Sequence, residues 1–241
     1  MTNLMVELRR SPRTLLERDG YPGPGPGHVA VVLARAGVGK TAFLVGIGLD
    51  ALLSGQKVLH ISIERTVDQV RKWYDDLLGE MLRRERLLQH WAGIQLEIER
   101  RRHIHTYVGR SFSIARLSQA MDLLGSAMEF APDVIIFDRP ALEGVDRSCF
   151  EELRQIAITA GAELWISCRT HRDGPQGEAG HLPPPADAWE DLVDLAFRLD
   201  PREARIRLQV LKDRDSMPGQ DLNILLDPAS MLLVSGVVGK R

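Results

Sequence analysis

The chain has 241 residues, 44% of them hydrophobic and 27% charged, with a formal net charge of -2. That is enough for one large domain with a real core, and the composition excludes a disordered or fibrous chain. The charge balance gives no whole-chain signal for nucleic acid, leaving only a local basic face. Cys149 and Cys168 have neither zinc-site spacing nor a disulfide framework, which fits a reducing, cytoplasmic compartment.

The first ten residues contain no apolar run long enough for a signal peptide or a membrane span. Residues 1–19 read as a short amphipathic helix, broken or restarted at Pro12. Tyr21-Pro-Gly-Pro-Gly-Pro-Gly27 is a connector that suits neither a helix nor a central strand. Residues 1–27 are therefore an appendage, packed on their own domain or docked on a neighbouring subunit. Residues 28–241 form a single domain.

Val29 to Ala34 predicts a buried strand, and Ala42 to Asp50 the body of a helix. Between them runs Ala34-Arg35-Ala36-Gly37-Val38-Gly39-Lys40-Thr41. A glycine-rich turn from strand to helix points backbone N–H groups at a phosphate, helped by the helix dipole. In that pattern Lys40 reaches the β- and γ-phosphates, and Thr41 offers its hydroxyl to Mg²⁺. Ala34 stands where the common pattern has Gly. The binding set is Ala34, Arg35, Ala36, Gly37, Val38, Gly39, Lys40, Thr41 and Ala42.

Ser54-Gly55 ends the helix. Val58 to Ile63 is a buried strand with Glu64 at its end, expected near the Val29 strand. Thr66 and Gln69 have capping-box spacing and open a long helical stretch with apolar Val70, Trp73, Leu77 and Met81, broken near Gly93. Its arginines, Arg83, Arg84, Arg86 and Arg100 to Arg102, alternate with acids. They read as a solvated face or subunit contact, or else as a phosphate-backbone patch. His103 to Tyr107 is a short strand, and Ser113 caps a helix reaching about Phe130. Asp133 to Asp138 is a buried strand ending in an acid. Ser148 and Glu151 repeat the capping-box spacing before a helix that ends at Gly161. Glu163 to Ser167 is the next strand. This alternation predicts an α/β fold with a parallel sheet flanked by helices.

A long connection runs from Arg169 to about Ala186, of the kind that is usually functional or mobile. Leu192–Leu199, Arg205–Leu211, Leu222–Leu226 and Met231–Val234 then alternate as strands of a C-terminal antiparallel β-meander. Lys212 and Arg214, two apart at a strand end, share one side, as a cationic pair for phosphate or as solvated edge charges.

Two carboxylates have the right placement for catalysis on a nucleotide. Asp138 reaches the C-terminal edge of the sheet, where it holds Mg²⁺ directly or through water. Arg139 follows it, so no second acid orients a water there. Glu64 fills that gap as the group that aligns water with the γ-phosphate, or else is a surface acid at a strand end.

These residues resemble the RecA-like P-loop ATPases of the DnaB helicase and KaiC type, from about Pro26 to Val234. Ala34 to Phe43 is close to the phosphate loop of DnaB-like helicases, which also begins with Ala. Val58 to Glu64 is similar to the strand with the catalytic glutamate, and Val134 to Asp138 to the Walker B strand. Leu208 to Arg214, with Leu222 to Pro228, resembles the Lys-x-Arg strand and its hairpin. The resemblance implies ATP and Mg²⁺ as ligands, and Lys212 and Arg214 reaching the nucleotide of an adjacent subunit in a ring or filament. Where the family has a γ-phosphate-sensing Gln, this chain has Cys168, with Arg169, Thr170 and His171 as possible substitutes. The loop from Arg172 to Glu190 has one Arg against four acids, a poor surface for a nucleic-acid backbone. The expected function is slow ATP hydrolysis driving a nucleotide-dependent assembly or regulatory switch, with room for a protein partner. The alternatives are a minimal DNA helicase or DNA-dependent ATPase, and a nucleotide-binding scaffold without turnover.

Overall fold

The computed structural model describes residue 16 and residues 23–108, 111–138, 147–170, 181–202 and 205–236. In chain order these form β1 (Val29–Ala34), α1 (Lys40–Leu53), β2 (Val58–Ile63), α2 (Val67–Arg84), α3 (Trp91–Arg101) and β3 (Arg102–Tyr107). Next come α4 (Ile114–Met128), β4 (Val134–Asp138), α5 (Arg147–Ala160) and β5 (Glu163–Arg169). The last strands are β6 (Leu195–Arg202), β7 (Arg205–Asp213), β8 (Gln220–Leu226) and β9 (Leu233–Ser235). Short 3-10 segments span Leu88–His90 and Ala186–Leu192. The expected N-terminal helix lies outside the described residues apart from Leu16, which is fully buried in the core beneath α1.

The strands make one mixed sheet in the order β3-β2-β4-β5-β1-β6-β7-β8-β9. The first six are mutually parallel, and β7, β8 and β9 follow antiparallel. The α/β class and the antiparallel C-terminal strands thus agree with the expectation. One strand differs: β6 pairs parallel with β1 and so completes the parallel sheet before the meander begins. β2, the strand before Glu64 that was expected near β1, is separated from it by β4 and β5.

Alternate residues of β1 enter two different cores. Ala30, Val32 and Ala34 face α1, α2 and α3, whereas Val29, Val31 and Leu33 face the α4 and α5 side. α1 is apolar all round, and every residue from Ala42 to Leu53 is buried. Gly48 shows why: a Cβ there would lie 2.5 Å from the Tyr74 hydroxyl of α2 and 2.8 Å from Ile136 of β4. The helix is therefore clamped between the sheet and α2, which fixes the loop that precedes it.

The helix boundaries follow local chemistry. Thr66 and Gln69 form the full capping box at the start of α2. Ser113 caps α4 by accepting from the Arg116 N–H. The break in the long helical stretch falls at residues 85–90 rather than near Gly93, because the chain turns through a left-handed Arg86 (φ 60°) and Gly93 lies inside α3. α5 starts at Arg147, which places Ser148 within its first turn instead of at its cap; Glu151 pairs with Arg147. Among the arginine runs, Arg83 pairs with Glu80, while Arg100 and Arg101 share Glu97, as expected of a charge-laced face. Arg102 departs from that reading: its side chain is buried, joined to Glu99 and laid 4.5 Å over the Tyr74 ring.

His60, fully buried on β2, has Nδ1 3.1 Å from the Tyr74 hydroxyl. Burial outweighs the nearby Asp138 charge and brings the imidazole pKa from 6.5 down to about 4. The unfolded chain therefore binds a proton on this residue between pH 6.5 and 4 while the folded one does not. Stability is complete above pH 6.5 and lost on acidification towards 4, by about 3 kcal/mol for a shift of this size. The urea midpoint of wild type should fall more steeply over that window than that of His60→Gln; equal slopes would show that His60 is protonated in the fold.

Candidate functional site

β1, β4 and β5 end together at one edge of the sheet, and the loop 35–39 stands over that edge. Two glycines give the loop its path, Gly37 at φ 78° and Gly39 at φ 112°. At Gly39 a second constraint applies, since a Cβ would lie 2.5 Å from Leu226 at the end of β8. Gly39 caps α1 without a side-chain bond, so the first turn presents its backbone N–H groups and the positive end of the helix dipole towards the loop. Lys40 lies back across the loop, its Nζ donating to the carbonyls of Ala34 at 2.6 Å and Arg35 at 2.8 Å. Arg35, Ala36 and Gly37 are exposed, Val38 to Thr41 half-buried, and Ala34 and Ala42 buried. The expected phosphate-binding residues Ala34 to Ala42 therefore fall on one continuous loop and helix start.

Thr41 and Asp138, 97 residues apart, meet beneath this loop. The Thr41 hydroxyl donates to Asp138 Oδ2 at 2.8 Å. The Ser167 hydroxyl donates to Asp138 Oδ1 at 3.0 Å. Asp138 is fully buried and Ser167 is 2% exposed. Ser167 is the residue that the sequence reading missed. Its signal was a hydroxyl within the otherwise apolar run Leu164–Cys168, but strand order was needed to see that β5 lies between β4 and β1.

Glu64 stands one strand further out. Ser62 of β2 is in register with Asp138 of β4, and Glu64 follows two residues later, exposed, at the same edge. Its backbone is left-handed (φ 72°), and its N–H donates to the Tyr107 carbonyl at 2.8 Å. That bond ties the turn after β2 to β3 and keeps Glu64 at the same edge of the sheet as Asp138.

The residues expected to sense the end of a phosphate chain divide. Cys168 is buried on the α4 and α5 side, away from the loop. Arg169, the last residue of β5, is exposed. The Thr170 N–H donates to the Ala34 carbonyl at 3.1 Å and so fixes the start of the loop. His171 lies outside the described residues, as does most of the connection that follows.

Lys212 and Arg214 stand at the opposite edge. β7 runs antiparallel to β6, so its end meets the beginning of β6 and of β1. The Arg214 N–H donates to the Asp194 carbonyl at 2.6 Å, and the Asp194 N–H donates to the Val29 carbonyl at 2.9 Å. Five residues of β1 separate this level from Ala34, about 16 Å at strand rise. That is too far for the Arg214 side chain to reach its own loop; Lys212, opposite Ala196 at the level of Val31, lies three residues of β1, about 10 Å, from Ala34. The expected alignment of the pair on one side of the strand does not hold. β7 ends at Asp213, and Arg214 follows in a left-handed turn (φ 50°), paired with Asp213. Lys212 Nζ donates to the Glu190 carbonyl at 2.6 Å.

Chemically, the loop edge combines backbone donors, an ammonium group, a hydroxyl and a buried carboxylate, with a second carboxylate at the rim. That set can hold an anion and a hard cation together. Among the described residues no cluster of three or more His, Cys, Asp or Glu could cage a metal, and no helix is long and apolar enough to cross a membrane. No protein-family model matches the chain, and no curated protein matches it in sequence.

Proposed function

We propose that this chain is a RecA-like ATPase domain, acting in the cytoplasm, that binds Mg·ATP at the loop 35–41 and completes its active site between subunits. The observation that carries the reading is the meeting of Thr41 and Asp138, 2.8 Å apart, directly under a loop spanned by Lys40. A hydroxyl and a carboxylate at that spacing fit Mg²⁺, which takes oxygen ligands, usually one or two from protein and the rest from phosphates and water. Bound there, the ion would neutralise charge on the phosphate oxygens.

The protein's own groups take distinct parts. Backbone N–H groups of the loop and the first turn of α1 receive phosphate oxygens. Lys40 exchanges two carbonyl acceptors for phosphate oxygens. Glu64, at the same edge of the sheet as Asp138, orients a water for in-line attack and accepts its proton. Lys212 and Arg214, at the edge of the sheet opposite their own loop, act on the nucleotide of a neighbouring subunit. Assembly and turnover are then linked, which favours a nucleotide-dependent switch or assembly, read out through a protein partner, over strand separation.

Size-exclusion chromatography with light scattering tests the reading, run alone, with Mg²⁺ and a non-hydrolysable ATP analogue, and with single-stranded DNA. The analogue should bind and shift the chain to a larger homo-oligomer, whereas DNA should neither co-elute near physiological salt nor stimulate phosphate release. A chain that ignores the analogue is not this ATPase. Tight DNA binding with strong stimulation would move the reading to a helicase, and binding without turnover to a scaffold.

A further inference from the structure

We infer that Ser167 is a positioning residue for the Asp138 carboxylate, setting how strongly the site takes Mg²⁺; this rests on the nucleotide reading above. β5 lies between β4, which carries Asp138, and β1, which leads into the loop. The register pairs Phe137 with Ile166, so Ser167 comes level with Asp138 on the adjacent strand. Trp165, two residues earlier, packs into the core beneath α1, so the change from indole to hydroxyl falls where β5 reaches the site.

The two oxygens of Asp138 have separate donors, Thr41 on Oδ2 and Ser167 on Oδ1. Two bonds to different oxygens fix both the direction and the plane of the carboxylate. Without Ser167, one oxygen of a fully buried carboxylate loses its donor, and the group is free to rotate Oδ2 away from Thr41. A second serine flanks Asp138 on the other side: Ser62 is in register with it, yet its hydroxyl, also fully buried, makes no bond to the carboxylate or to any other partner. The orientation of Asp138 is therefore held from the β5 side.

Losing a hydrogen bond to a charged group shifts a coupled equilibrium by about tenfold or more. The test is the binding of a fluorescent ATP analogue, titrated with Mg²⁺ and repeated in excess chelator. Ser167→Ala should need about tenfold more Mg²⁺ at half-saturation, with chelator-condition affinity equal to wild type. Ser167→Thr, which keeps the hydroxyl, should return the Mg²⁺ midpoint close to wild type. Equal midpoints in Ser167→Ala and wild type would overturn the assignment. So would an equal loss of affinity with and without Mg²⁺, which marks general damage to the fold. Wild-type protein that binds no analogue would instead remove the nucleotide reading itself, and this role with it.

Discussion

Lys40→Ala should weaken ATP binding by about a hundredfold, as expected when two charge-assisted hydrogen bonds to phosphate are lost. The same variant should melt within a degree or two of wild type. Lys40 is half-buried and its Nζ donates to the carbonyls of Ala34 and Arg35. The Ala34 carbonyl still accepts from Thr170 in the variant, and Arg35 is exposed, so water can serve its carbonyl. Loss of binding without loss of fold is the signature of a functional lysine. Titration calorimetry with ATP, beside a thermal melt, measures both. Unchanged affinity would mean that the loop 35–41 is a tight turn and nothing more. A collapse in melting temperature would mean that Lys40 holds the loop together instead of waiting for a ligand.

The loop edge was legible in sequence because its parts are local. Gly37, Gly39, Lys40 and Thr41 occur within five residues, between an apolar run and a helix, and left-handed glycines are what such a turn requires. Asp138 was legible for a related reason, as the acid closing a run of buried apolar residues. Strand order was not, because it depends on which crossovers pack, and no residue within a strand announces its neighbour. That is why β5 between β1 and β4, and with it Ser167, escaped notice.

A related limit applies at Arg214. Alternation along a strand predicts sides only while the strand lasts, and Arg214 sits one step past the end of β7 with a left-handed backbone. The long helical stretch was misdivided because Gly93 looked like the breaker. The turn is made instead by Arg86, a residue type that gives no warning of a positive φ. The burial of Arg102 was hidden for want of a tertiary partner: stacking on Tyr74 uses a ring 28 positions earlier in the chain.

The position of Arg214 leads to the other large effect. Its backbone is held at the start of β6 through Asp194, and β1 carries that level some 16 Å away from the loop. A cationic finger so placed can serve only a nucleotide held by another subunit. In the proposed function, Glu64, at the loop edge, serves its own. Arg214→Ala and Glu64→Gln should each lower turnover by a hundredfold or more, with ATP affinity little changed, since both groups act mainly as charge moves in the transition state. The two lesions then lie on opposite sides of each interface. Mixing the variants in equal amounts makes about one interface in four carry both native groups, if subunits assemble at random with heterologous contacts. Turnover of the mixture should rise to roughly a quarter of wild type, well above either variant alone. Dead variants that stay dead in a verified mixed assembly would place Glu64 and Arg214 in independent roles. A wild-type monomer with full turnover at every concentration would return Lys212 and Arg214 to the status of edge charges, since a site shared between subunits must lose activity on dilution.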